Sequence, residues 1–128
     1  MNDSDGRLRL SPEAIKVLRH GGTEPPFSSP LNGEKREGAY HCAGCATALF
    51  ESQAKFDSGC GWPSFDRVGN SDAIRYVEDN SHGMQRVEVR CASCDGHLGH
   101  VFRDGPTETG LRYCINGVAM GFEPARPS

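Results

Sequence analysis

The sequence lacks three features that would each indicate a particular class of protein. No stretch approaches the roughly 20 apolar residues of a membrane helix, and residues 1–6 are too polar for a secretory signal. An excess of positive charge is also absent, since the formal net charge is −3 and no cationic block is longer than Lys35 and Arg36. This disfavours nucleic-acid binding. We therefore expect a soluble, cytoplasmic protein with neither a membrane nor a nucleic-acid partner.

Hydrophobic residues are sparse as well, at 36% of the chain, whereas glycine and proline contribute 16 and 8 residues. This composition favours a loop-rich and turn-rich architecture over a helical bundle. A length of 128 residues suits one compact domain and leaves little room for a second core. We expect a single domain over residues 1–128, in which residues 1–10 are flexible.

Local signals predict one short helix followed by several short strands. Ser11 is suited to cap a helix that begins at Pro12 and ends at Gly21 and Gly22. The run 23–38, with three prolines, predicts an irregular extended segment. Alternating or β-forming residues mark candidate strands at 39–42, 49–50, 73–77, 84–91, 97–102 and 111–115. Short strands separated by glycine-rich turns predict a mainly β, antiparallel domain.

Four of the six cysteines form two C-x-x-C pairs: Cys42, Cys45, Cys91 and Cys94. Two such pairs can supply a tetrahedral, all-sulfur zinc site, and four protein ligands leave no position for water or substrate. The pattern therefore predicts one structural Zn²⁺ that ties distant strands together. The alternatives are a thioredoxin-like redox pair and a disulfide framework of a secreted protein.

The two remaining cysteines have unusual neighbours. On a strand, Arg112, Cys114 and Asn116 share one face, and a guanidinium beside a thiol favours the thiolate that attacks substrates. Cys60 lies between two glycines, so it has the backbone freedom that a resolving cysteine needs to approach an oxidised partner. The alternative for both thiols is burial as small apolar side chains, the commonest fate of free cysteine.

Five segments together resemble the methionine-R-sulfoxide reductase family, the B-type peptide-methionine sulfoxide reductases. They span most of the chain and read GGTEPPF, YHCAGCATALF, KFDSGCGWPSF, VRCASCDGHLGHVF and LRYCINGVAMGF. The resemblance implies two antiparallel β-sheets, a zinc site remote from catalysis and a shallow pocket for the R epimer of methionine sulfoxide, free or in a protein. One departure is Gly117, where the family commonly has serine.

The resemblance also implies roles for individual residues. Cys114 is the expected nucleophile, Cys60 the resolving cysteine, and Cys42, Cys45, Cys91 and Cys94 are the zinc ligands. The family's pocket residues match Trp62, His97, His100 and Asn116. We expect Arg112 to lie beside the substrate as well.

Reduction of a sulfoxide requires a thiolate at sulfur and a proton or hydrogen bond at oxygen. Cys114 would supply the first, and His97 or His100 the second, because imidazole titrates near neutral pH. Residues three apart face opposite sides of an ideal strand, but Gly96 and Gly99 could admit a bulge that brings both histidines to one face. Trp62 offers a flat apolar wall for the methyl group of the substrate.

After the attack, Cys114 would be a sulfenic acid with which Cys60 condenses to a disulfide. An external dithiol must then reduce that disulfide, and thioredoxin is the expected partner. Two other functions share parts of the pattern. A zinc-ribbon binding module would use only the C-x-x-C pairs, and a thiol peroxide sensor would use the same two free cysteines.

Overall fold

Two antiparallel β-sheets and one short α-helix form the part of the chain that the computed structural model describes, which is residues 11–80, 83 and 85–125. The prediction of a mainly β fold with two antiparallel sheets and a short helix is confirmed. The segment 1–10, expected to be flexible, lies outside the described residues, and a single domain over 1–128 stays a prediction.

The helix α1 spans Pro12–His20 and begins and ends at the residues that the sequence predicted. The hydroxyl of Ser11 accepts a hydrogen bond from the backbone N–H of Ala14 at 3.1 Å, and Gly21 ends the helix with a positive φ of 70°. The buried residues Val17 and Leu18 belong to the hydrophobic core. Within the described residues, no helix has the length and apolarity needed to cross a membrane.

The strands divide into a small and a large sheet. The small sheet has the order β2 (Ala48–Glu51), β1 (Gly38–Cys42), β9 (Met120–Pro124). The large sheet has the order β3 (Lys55–Phe56), β4 (Ser64–Phe65), β8 (Arg112–Ile115), β7 (His97–Phe102), β6 (Arg86–Cys91), β5 (Ile74–Asp79). The six candidate strands are all present: the ends of 97–102 are as predicted, and those of the other five are shifted. Met84, in the candidate strand 84–91, lies outside the described residues. Strands β3, β4 and β9 were not predicted.

Four aromatic side chains pack against one another within the core. Phe50 of the small sheet stacks on Phe65 of the large sheet, with ring centroids 4.2 Å apart. Tyr40 meets Phe65 edge-on at 5.0 Å, and Tyr113 meets Phe50 at 5.7 Å. Because side chains alternate along a strand, the burial of Tyr113 in this core directs its neighbour Cys114 to the opposite face of the large sheet.

That opposite face carries a row of chemically active side chains. Cys114 pairs with Ser64 on one side and with His100 on the other, and His100 in turn pairs with Glu88 of β6. Directly paired residues of antiparallel strands present their side chains to the same face. Strand pairing thus places a thiol, an imidazole and a carboxylate side by side.

A bulge in β7 brings the second histidine to the same face. Val89 pairs with Gly99, whereas the next residue of β6, Arg90, pairs with His97, so that Leu98 has no partner on β6. The predicted bulge is therefore present, and the rings of His97 and His100 lie with centroids 5.6 Å apart. Leu98 is fully buried in the core.

Gly99 permits the close approach of β7 and β8. A Cβ atom at this position would overlap the carbonyl oxygen of Cys114, whereas one at Gly33 would meet nothing within 4 Å. We predict that Gly99→Ala lowers the free energy of unfolding by about 1 to 3 kcal/mol, because the backbone must move to relieve the overlap.

The measurement is the free energy of unfolding in urea, with Gly33→Ala as the matched control. The control is expected to be neutral or slightly stabilising, because alanine restricts the unfolded chain. Equal stability of the two variants would contradict this account of the strand contact.

Candidate active site and metal centre

Cys114 and Cys60 lie together although 54 positions separate them in the chain. Their Sγ atoms are 2.9 Å apart, and both thiols are free and partly exposed. The guanidinium of Arg112 donates from Nη1 to the Sγ of Cys114 at 2.7 Å. The structure therefore joins the two cysteines that remain after the C-x-x-C pairs are set aside, with the cation beside one of them.

The loop that carries Cys60 is anchored on one side and open on the other. The carbonyl of Gly61 accepts hydrogen bonds from the N–H of Phe27 at 2.6 Å and from the side chain of Asn32 at 3.0 Å. Gly59 is exposed, has a positive φ of 76°, and has open space where a Cβ would be. Gly59 therefore leaves room for backbone adjustment on one side of Cys60, whereas Gly61 is held on the other.

The two thiols titrate as a pair because they are so close. Burial, followed by the hydrogen bond and charge of Cys60, raises the pKa of Cys114 to about 12. Burial acts against the thiolate of Cys60, but hydrogen bonds from Cys114, Ser58 and Ser64 outweigh it and lower the pKa of Cys60 to about 7. In this arrangement the shared proton lies on Cys114, and the charge of Arg112 opposes that placement.

Arg112 is fixed from two sides. Its Nε and Nη2 donate to the two carboxylate oxygens of Asp104 at 2.7 and 2.9 Å, and its guanidinium lies 4.6 Å from the ring centroid of Phe102. The bond to Asp104 raises the already high pKa of Arg112, so the cation beside Cys114 is permanent. Sequence reasoning missed Asp104 and Phe102, although Phe102 shares its strand face with His100.

A cavity of about 290 Å³ opens in front of Cys114. Its wall contains the expected residues Cys60, Trp62, His100, Arg112, Cys114 and Asn116, and adds Thr23, Arg86, Gly99 and Phe102. His97 is only 6% exposed and is not among the described residues that line the cavity. The structure thus separates two histidines that the sequence could not rank.

Glu24 connects two residues of the cavity wall with the backbone that follows β8. Its backbone N–H donates to the side-chain oxygen of Asn116 at 2.9 Å, and its carbonyl accepts from the indole N–H of Trp62 at 3.0 Å. Its buried carboxylate accepts from the N–H groups of Gly117 and Val118 at 2.8 and 3.0 Å. The segment predicted only as irregular therefore holds two of the expected pocket residues in place.

Gly117, the departure from the family pattern, has a structural reason. A Cβ at position 117 would overlap the buried hydroxyl of Ser29, which caps the short 3₁₀ turn Pro30–Gly33 by accepting from Leu31. The hydroxyl of Ser29 thus occupies the space that a side chain at position 117 would need. Glycine at position 117 therefore leaves room for the hydroxyl of Ser29.

The four paired cysteines form a cluster that joins the two sheets. Their Sγ atoms all lie within 4.8 Å of one another, with Cys42 to Cys94 at 3.7 Å and Cys45 to Cys91 at 3.5 Å. Sulfurs bound tetrahedrally to one Zn²⁺ at 2.3 Å are about 3.8 Å apart. Cys42 ends β1 of the small sheet and Cys91 ends β6 of the large one. The cluster therefore fits one thiophilic metal ion.

Comparisons with known proteins agree with this architecture. A family model described as the SelR domain matches residues 10–124. The crystal structure of the Mis18 "Yippee-like" domain superposes with a TM-score of 0.55 at 14% sequence identity, covering 72% of this chain and 100% of that chain. At such low identity the likeness extends to the fold alone.

The thiol pair yields a prediction about titration. Replacing Cys60 by alanine removes the neighbour that helps to raise the pKa of Cys114 and leaves Arg112 in place. We expect the pKa of Cys114 to fall by about 1 to 3 pH units, the usual effect of a nearby like charge.

The measurement is the rate at which Cys114 is alkylated in the intact protein at a series of pH values. The reaction is followed by mass spectrometry of the peptide that carries Cys114. Cys60→Ser serves as the control that removes the thiolate but retains a hydroxyl at this position, and it should shift in the same direction. An unchanged or raised midpoint in Cys60→Ala would show that Cys60 does not control the charge of Cys114.

Proposed function

The chain belongs to the SelR-domain family, the methionine-R-sulfoxide reductases, and we propose that Cys114 is its nucleophile, Cys60 its resolving cysteine and the 290 Å³ cavity its substrate pocket. The observation that carries the proposal is the position of the Cys114 sulfur. It lies in the cavity wall, 2.9 Å from Cys60 and 2.7 Å from a fixed guanidinium.

In the proposed first step, the thiolate of Cys114 attacks the sulfur of the substrate. The sulfur–oxygen bond of the sulfoxide breaks, the oxygen ends on Cys114 as a sulfenic acid, one proton is taken up, and methionine leaves. Arg112 stabilises the attacking thiolate. Substrate entry requires Cys60 to move aside, and this movement also removes the contribution of Cys60 to the high pKa of Cys114.

His100 is the favoured proton donor. It pairs with Cys114 across β7 and β8 and lines the cavity, so an oxygen bound there lies between its ring and the thiolate. Burial lowers the pKa of His100, and the carboxylate of Asp79 opposes that effect. The protonated form is present below this pKa and is lost as the pH rises through it.

Trp62 and Phe102 supply the apolar wall that the methyl group and side-chain carbons of methionine need. The indole N–H of Trp62 is already bonded to the carbonyl of Glu24, so the ring is fixed and its polar edge is occupied. Sulfur beside aromatic rings gains roughly 0.3 to 1.5 kcal/mol. Such a wall suits a thioether better than hydrogen peroxide, which weighs against the peroxide-sensor alternative.

In the proposed second step, Cys60 attacks the sulfenic acid of Cys114. A sulfur–sulfur bond forms, the sulfur–oxygen bond of the sulfenic acid breaks, and the oxygen takes up one proton and leaves as water. The low pKa of Cys60, about 7, makes its thiolate available at neutral pH. A dithiol protein such as thioredoxin would then return both thiols by taking up the oxidation, a reaction that suits the reducing cytoplasm expected from the sequence.

Zinc is the ion that best suits the four-sulfur cluster, because Zn²⁺ favours tetrahedral thiolate sites. Cys42, Cys45, Cys91 and Cys94 would fill its coordination sphere and hold the ends of β1 and β6 together. The ion would thus stabilise the fold and take no part in the reaction. A binding module of the zinc-ribbon type would need only this cluster and leaves the second thiol pair and the cavity without a purpose.

The assignment of the two active thiols predicts distinct defects. Cys114→Ser should abolish reduction of the R epimer, because no thiolate remains to attack. Cys60→Ser should release close to one methionine per chain rapidly and then recycle slowly with thioredoxin. The measurement is methionine release from each separated epimer in single-turnover and coupled assays.

The S epimer is the substrate control. Neither the wild-type protein nor the Cys114→Ser and Cys60→Ser variants should reduce it. Full thioredoxin-driven turnover by Cys60→Ser would refute its resolving role. Turnover by Cys114→Ser would refute the nucleophile assignment.

The metal assignment predicts one zinc per chain. Cys91→Ser should lose the ion and lower the free energy of unfolding by several kcal/mol, because metal binding is coupled to folding. Elemental analysis and urea unfolding measure both effects. Cys114→Ser is the matched control and should retain its zinc; a wild-type protein purified without zinc, or loss of the ion from the control, would contradict the assignment.

A further inference from the structure

His97 and His100 share with Cys114 one face of the large sheet, called the active face below. Each of these histidines is bonded to a carboxylate, and each carboxylate is bonded to an arginine. His100 Nε2 lies 2.7 Å from Asp79 Oδ2, and Arg86 Nη2 lies 3.5 Å from the same oxygen. In the second set, His97 Nδ1 lies 2.7 Å from Glu88 Oε2, to which Arg90 Nε donates at 2.8 Å. The two sets are chemically alike but bind their histidines through different ring nitrogens.

Only the first set reaches the cavity among the described residues. His100 and Arg86 line it, whereas His97, Glu88 and Arg90 do not. Asp79 ends the outermost strand β5 and pairs with Arg86 of β6, so its side chain extends over β6 to meet His100 on β7. A carboxylate from the edge of the sheet therefore contacts the imidazole beside Cys114.

This contact fixes the chemistry of the imidazole. A carboxylate accepts hydrogen bonds, so neutral His100 carries its proton on Nε2 and protonated His100 carries a second one on Nδ1. Nδ1 has no hydrogen-bond partner within the described part of the chain. It is thus the ring nitrogen that remains for an oxygen in the cavity.

We propose that Asp79 is a positioning residue of the reductase reaction: it orients His100 through Nε2 and reserves Nδ1 for the sulfoxide oxygen. Arg86 contacts the same carboxylate oxygen of Asp79 from β6. This inference rests on the proposed function, and it assigns to the edge strand β5 a role that no pattern in the sequence indicates.

The charges around His100 determine the sign of the expected effects. The groups that face it are Asp79 from β5, Arg86 and Glu88 from β6, His97 on β7, and Cys114 with Arg112 on β8. Burial lowers the pKa of His100, the charges of Arg86 and His97 lower it further, and Asp79 raises it. Removing Asp79 therefore lowers this pKa, and removing Arg86 raises it.

The experiment compares Asp79→Asn with Arg86→Gln in the full chain. The pKa and tautomer of His100 are read from nitrogen-15 NMR, and single-turnover reduction of the R epimer is measured from pH 5 to 9. In Asp79→Asn, the alkaline limb of the rate should move to lower pH together with the pKa of His100. A fall of one unit in that pKa reduces the rate about tenfold on this limb.

Arg86→Gln should move both the pKa and the limb in the opposite direction. Glu78→Gln is the matched control. Glu78 is exposed, precedes Asp79 in β5 and points to the other face of the strand, so this variant removes the same charge away from His100. It should change neither the NMR signals of His100 nor the rate. Asp79→Glu should restore part of the wild-type profile.

A uniform loss of rate in Asp79→Asn, with unchanged His100 signals, would overturn the proposal, as would an equal shift in Glu78→Gln. If Asp79→Asn fails to fold, the tautomer of His100 in the wild-type protein decides, and neutral His100 with its proton on Nδ1 instead of Nε2 would refute the contact. A wild-type protein inactive toward the R epimer would refute the proposed function, whereas the NMR titrations would still test the contact between Asp79 and His100.

Discussion

The antiparallel pairing of β7 with β8 is the constraint on which the active face depends. It sets His100 directly beside Cys114, and it requires Gly99, because a side chain at that position would overlap the backbone of β8. The bulge at Leu98 then turns β7 so that His97 shares the face of His100. A slip of one residue in this register would send the thiol into the core and Tyr113 into the cavity.

The buried side of the same sheet makes that register costly to change. Tyr113, Phe65 and Phe50 pack in one aromatic cluster that joins the two sheets. Tyr113 and Phe65 are also the direct chain neighbours of Cys114 and Ser64, which lie on the opposite face. The four-sulfur cluster lies at the same junction, at the ends of β1 and β6, where a bound metal ion would hold the two strands together. The core therefore holds the strands, and the strands hold the reactive groups.

The sequence allowed prediction wherever the signal is local. The caps of α1, the alternation of Arg112 with Tyr113 and the spacing of the C-x-x-C pairs all depend on neighbours a few positions away. Glu24 could not be found in this way, because its carboxylate bonds to N–H groups 93 and 94 positions along the chain. The same holds for Asp79, which meets His100 only after three strands have paired, and for β9, which becomes a strand by pairing with β1.

The close contact of the two thiols determines which of them is protonated in the site without substrate. With Cys60 beside it, the pKa of Cys114 is raised to about 12, so the protonated thiol is favoured at neutral pH. Because Cys60 occupies the cavity wall, a substrate that displaces it also leaves Arg112 as the nearest charge to Cys114. In the proposed reaction, Cys114 would then become a thiolate when a sulfoxide binds, and the return of Cys60 would bring a second thiolate to the oxidised sulfur.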